Sequence, residues 1–125
     1  MRSDGVALPR PGVWRISDRA TFEALRSGRR MRRGAVSVTF VAPVPGAPPR
    51  PPRVAFAVGK GIGGAVVRNR VRRRLRAAAR ALQQRGRLPE GAYLLGGSAD
   101  LARLPWSALV SDLDAAITAA VEGAA

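Results

Sequence analysis

The sequence predicts an α+β fold, a two-layer α/β sandwich in which a small mixed sheet carries helices in the order α-β-β-(β)-α-β-α. Three observations carry that expectation. Residues 34–41 (GAVSVTFV) alternate, with Val36, Val38 and Phe40 on one side and Ala35, Ser37 and Thr39 on the other. Between residues 65 and 84, Val67, Val71, Leu75, Ala78 and Leu82 fall within an arc of about 80° at about 100° per residue, an apolar stripe on a helix. Trp106, Leu109, Val110, Leu113, Ile117, Ala120 and Val121 repeat helical spacing near the end of the chain and predict a helix that covers one sheet face.

The elements follow in order. Residues 1–13 hold two prolines, two glycines and scattered charge, and read as a flexible tail to a single domain spanning 1–125. Ser17 offers an N-cap to the first helix, Asp18 suits its first turn, Phe22 and Leu25 form its apolar face and Gly28 ends it. Arg29, Arg30, Arg32 and Arg33 surround Met31 in a short edge strand with solvated charge. Residues 43–52 (PVPGAPPRPP) lack the amide donors that a helix or central strand needs, so they are expected to form a Pro-rich loop joining two neighbouring strands. Residues 53–58 (RVAFAV) are apolar on both sides and read as a central strand. Gly86 stops the basic helix, residues 91–96 (GAYLLG) give another strand, and Pro105 opens the last helix.

Charge narrows the function. Lysine and arginine total 22 against 8 acidic residues, for a net charge of +14, and only Lys60 of the basic set is a lysine. Seven arginines lie between positions 68 and 80, where like charges at i,i+4 repel unless a polyanion sits against them. RNA or DNA is the expected partner, held by phosphate contacts that give affinity rather than sequence reading. The chain has no cysteine and no histidine, which excludes thiolate metal sites, disulfides and Ser-His-Asp chemistry. Asp112 and Asp114 are two apart on a helix, and Glu90 and Asp100 fall in or near loops, so no catalytic or metal-ligating set is expected. No apolar run is long enough to span a bilayer, and the expectation is a cytoplasmic protein without membrane contact. Gly59, Gly61 and Gly64 match a dinucleotide-binding spacing between strand and helix. Against that reading, Arg80 and Leu82 stand where an acidic residue belongs, and no small-molecule cofactor is expected.

The run from Gly59-Lys60-Gly61-Ile62-Gly63-Gly64-Ala65-Val66-Val67 through Arg68-Asn69-Arg70-Val71-Arg72-Arg73-Arg74-Leu75-Arg76 resembles the signature of the bacterial ribonuclease P protein subunit. The resemblance extends over roughly residues 14 to 121. It implies an α/β sandwich with a left-handed β-α-β crossover through the basic helix. It also implies a role as the protein part of a ribonucleoprotein endonuclease that removes the 5′ leader of precursor tRNA. The partners implied are the catalytic RNA subunit and precursor tRNA, with Mg2+ bound mainly by the RNA and no catalytic residue on this chain. By the same resemblance Lys60, Arg68, Asn69, Arg70, Arg72, Arg73 and Arg76 bind RNA, while Phe22, Arg26, Val38 and Phe56 line a leader cleft between first helix and sheet. The alternative is a structural RNA-binding protein of ribosomal type with no part in cleavage.

Overall fold

A computed structural model describes residue 16 and residues 18–124. Its elements run α1 (Arg19–Ser27), β1 (Arg30–Arg33), β2 (Val36–Val41), β3 (Arg53–Ala57), α2 (Ala65–Gln84), β4 (Ala92–Gly97) and α3 (Trp106–Gly123), with short 3₁₀ turns at Lys60–Ile62 and Ala99–Ala102. The four strands form one sheet in the order β1-β2-β4-β3. β1 and β2 are antiparallel, as are β2 and β4, whereas β3 and β4 are adjacent and parallel, joined through α2. The α+β class and the short arginine-rich edge strand are as the sequence predicts.

Register assigns the two faces. Val38 pairs with Leu95, and Leu95 with Phe56, so these three share one face, together with Met31, Val36, Val54 and Tyr93. That face packs on α2 and α3 in the main core, which includes Val71, Leu75, Leu82, Leu109, Leu113 and Ile117. Each such side chain contributes about 1.5–3 kcal/mol on full burial. The opposite face carries Ser37, Thr39, Val41, Ala55, Ala92 and Leu94. Leu25 of α1 covers part of it in a second, smaller cluster with Ile16 and Ala92.

The structure revises five local expectations. Ser17 lies outside the described residues, and the N-cap of α1 is Asp18, whose carboxylate accepts from the Thr21 amide at 3.0 Å. Residues 53–57 form an edge strand, not a central one, because β4 inserts between β2 and β3. The Pro-rich loop therefore joins strands that are not neighbours. Pro105 is the N-cap of α3 and not its first helical residue. Trp106 is 45% exposed and takes no part in the buried face of α3, which is completed instead by Ala116. The expected tail at 1–13 lies outside the described residues.

Asp18 also clasps α1 to the sheet, with Arg53 of β3 donating from Nη1 to Asp18 Oδ1 at 2.8 Å. The Thr21 hydroxyl, then the Thr21 amide, with help from Arg53, hold the Asp18 carboxyl down from 3.8 to about 2. A carboxyl whose folded pKa is depressed stabilises the fold above its unfolded pKa and loses that contribution as pH falls toward the folded value. The clasp is therefore complete above about pH 4 and weakens toward pH 2. In thermal melts from pH 5 to pH 2, Asp18→Asn is expected to lower Tm at pH 5 and to show a shallower acid loss than the unmodified chain. Parallel curves would show that the clasp contributes nothing.

Candidate nucleic-acid interface

α2 begins where Gly63, at φ 147°, turns the chain into a helix capped by Gly64, with the Arg68 amide bonded to Gly64 O at 2.9 Å. It ends at Gly86, φ 70°, where the Gly86 amide donates to Gln83 O at 3.0 Å and the Arg87 amide to Leu82 O at 2.8 Å. That paired closure is the Schellman geometry, which needs a left-handed residue at this position. Val71, Leu75, Ala78, Ala79 and Leu82 are buried, so the orientation of the helix is fixed by its apolar stripe.

The polar side chains of α2 then differ in what they contact. Asn69, Arg73 and Arg76 are exposed, off the apolar stripe of the helix. With Val66 and Arg72 they line a groove of about 420 Å³. Arg73 and Arg76 also line a second groove of about 350 Å³ with Ala77, Arg80, Ala81 and Gln84. On one flank Arg72 donates to Asn69 Oδ1 at 3.1 Å and to Val58 O at 3.3 Å, which aligns it with the end of β3. On the other flank Arg70 donates from Nε to Ala102 O at 2.8 Å. Arg74 donates from Nη1 to Leu101 O at 2.6 Å and from Nη2 to Leu104 O. Arg74 is thus bound to the turn before α3, and Arg70 commits one of its donors there. Arg68 is half-buried and lines neither groove, and Lys60 is exposed on the 3₁₀ turn that leads into α2. Among the described residues, no arginine of α2 has a carboxylate partner; the ion pairs are Arg53–Asp18 and Arg87–Asp114. Arg80 is a groove residue that the resemblance did not supply: half-buried, it lines the second groove four positions beyond Arg76.

The four residues expected in a leader cleft do not all share one side of the sheet. Phe22, 38% exposed, and Arg26, exposed, stand one turn apart on α1. Val38 and Phe56 do not join them. Val38 is fully buried under α2 and α3, and Phe56 lies on that same side beneath the Arg76 guanidinium, 5.2 Å from its ring centroid. Side chains alternate along a strand, so the positions that share a side with α1 are one residue away: Ser37 and Thr39 on β2, Ala55 and Ala57 on β3, and Leu94 on β4. The alternation of residues 34–41, which put Val38 on the apolar side, was the signal for this.

The carboxylates do not gather. Asp18 and Asp114 are paired with arginines, and Glu90 accepts from the Arg50 amide at 3.2 Å. Among the described residues, no three acidic side chains could share a metal ion. No helix there is long and apolar enough to cross a membrane.

Known proteins point the same way. The family described as Ribonuclease P matches residues 11–121. The Ribonuclease P protein component of Thermobifida fusca is 44% identical over 111 residues, which cover 84% of this chain and 74% of the relative. The ribonuclease P protein from Thermotoga maritima superposes with a TM-score of 0.67 at 20% identity, covering 84% of this chain and 96% of that one. The Staphylococcus aureus protein superposes with a TM-score of 0.66 at 16% identity, over 86% and 94% of the two chains. The profile match across nearly the whole chain, on a fold that these structures share, establishes that the chain belongs to the ribonuclease P protein family, components of a tRNA-processing ribonucleoprotein enzyme that function with an RNA subunit.

Proposed function

We propose that the exposed face of α2 seats the chain on the catalytic RNA subunit and that the α1 side of the sheet receives the 5′ leader of precursor tRNA. The observation that carries the reading is the pair of adjoining grooves built around Arg73 and Arg76, whose charge no carboxylate among the described residues neutralises. RNA phosphates relieve the repulsion along the helix and release counterions as they bind. Asn69, Arg72, Arg73 and Arg76 make these contacts, with Arg68, Arg70 and Lys60 at the margins. On the other side, Phe22 offers a stacking surface and Arg26 a phosphate contact, over a floor of small and aliphatic side chains. Leader binding therefore leans on charge more than on stacking.

The scattered carboxylates do not fit a resident metal, and magnesium is assigned to the RNA subunit. In this reading the chain holds no catalytic group: it fixes RNA and substrate relative to each other in the cytoplasm while the RNA removes the leader. Reconstitution tests it. Added to a cognate RNA subunit at low magnesium, the chain is expected to restore cleavage of precursor tRNA. RNA binding without restored cleavage would favour a purely structural role, and cleavage by the chain alone would overturn the assignment of chemistry.

A further inference from the structure

The second groove leads somewhere. Arg73, Ala77, Ala81 and the C-cap residue Arg85 form one i,i+4 row along α2 and its end, a ridge about 18 Å long at 1.5 Å per residue. Its two middle members are alanines, so nothing tall separates the arginines at its ends. At the far end Arg85 meets the start of α3, where Trp106 lines a groove of about 350 Å³ with Arg85, Ser107, Val110, Ser111 and Asp114. Trp106 is 45% exposed, the largest exposed apolar side chain among the described residues. Asp114 does not repel an anion there, because Arg87 holds it through Nε to Oδ1 at 3.0 Å and Nη2 to Oδ2 at 3.2 Å.

We propose that this shelf is a second RNA site: phosphates cross from Arg73, Arg76 and Arg80 over Ala77 and Ala81, and an unpaired base stacks on Trp106 beside Arg85. The chemistry is that of single-strand recognition, an aromatic face for the base and guanidinium groups for the backbone. The hydroxyls of Ser107 and Ser111 offer the base edge both donors and acceptors. The i,i+4 row that runs from the α2 groove to Arg85, and the Arg85 guanidinium beside Trp106, favour a nucleic acid over a protein partner. The site rests on the reading of α2 as the seat of the RNA subunit and extends it onto α3.

Trp106 reports on its own environment once Trp14 is replaced by phenylalanine. Titrating Trp14→Phe with the RNA subunit is expected to quench the Trp106 emission. In the same chain Trp106→Ala is expected to weaken binding about 5- to 150-fold, the range for loss of one stacked base, whereas Trp106→Phe retains an aromatic face and most of the affinity. Arg80→Gln is expected to lower the log–log salt slope by about 0.7–0.9. Unquenched emission, or unchanged affinity in Trp106→Ala while Arg73→Gln/Arg76→Gln binds weakly, would remove the shelf and leave the α2 reading standing. Full affinity in that arginine double variant would remove both.

Discussion

Replacing Arg73 and Arg76 by glutamine is expected to weaken binding to the RNA subunit by about two to four orders of magnitude, with stability unchanged or slightly higher. These two side chains line both grooves of α2, so no other pair contributes to as much of the surface. A hydrogen bond to a charged group contributes about 1.5–3 kcal/mol, and two of them give the stated range. The effect on the free protein has the other sign. Arg76 lies four residues from both Arg72 and Arg80, and Arg73 lies three from Arg70 and Arg76. Each like-charged pair costs about 0.2–0.5 kcal/mol, which removal returns. Loss of the Arg76–Phe56 stack takes back about 0.5–1 kcal/mol. A binding titration at several salt concentrations, beside a thermal melt, separates the effects. The salt slope should fall by about 1.4–1.8. Affinity within threefold of the unmodified chain would contradict the assignment.

Contrast this pair with Arg74, and the limits of the sequence become physical. The apolar stripe of α2 was legible because Val71, Leu75, Ala78 and Leu82 carry helical period in the sequence itself, and the direction of the arginines followed from it. That Arg74 would be consumed by the carbonyls of Leu101 and Leu104 was not legible, since these residues come together only when the turn before α3 packs on α2. Strand order is the same kind of fact. The apolar run at residues 53–58 reads as central, but pairing with β4 on one side alone leaves it at the edge, with Ala57 exposed. Val38 and Phe56 illustrate a different kind of limit. Period-2 alternation puts Val38 on one face with Val36 and Phe40 and leaves Ser37 and Thr39 on the other, and one step along a strand is enough to reverse the face. Phe22 and Arg26 are exposed to no such reversal, because residues one helical turn apart share a side whatever the helix packs on.

Gly97→Ala is expected to lower Tm by about 10 °C or more and to weaken RNA binding without touching a basic side chain. Gly97 ends the central strand β4 at φ 153°, a conformation open in practice only to glycine, and a Cβ there would lie 2.0 Å from Ala35 O and 2.8 Å from Leu101 Cδ1. The backbone strain alone costs on the order of 1–3 kcal/mol. The near contact cannot be relieved by a rotamer change, because its partner is a carbonyl that already accepts the Ser98 amide at 3.0 Å. A loss of about 3 kcal/mol removes a large share of the 5–15 kcal/mol that holds a domain of this size. The consequence for RNA follows through Leu101: pushing it displaces the turn whose carbonyls receive Arg70 and Arg74, and with it the flank of α2 beside the grooves. Gly61→Ala is the control. A Cβ at Gly61 meets nothing within 4 Å, and its stability should be unchanged or up to about 1 kcal/mol higher through the unfolded chain. If Gly97→Ala melted with Gly61→Ala, the close approach of β4 to Ala35 would not be what positions the turn, and the link from sheet to interface would have to run elsewhere.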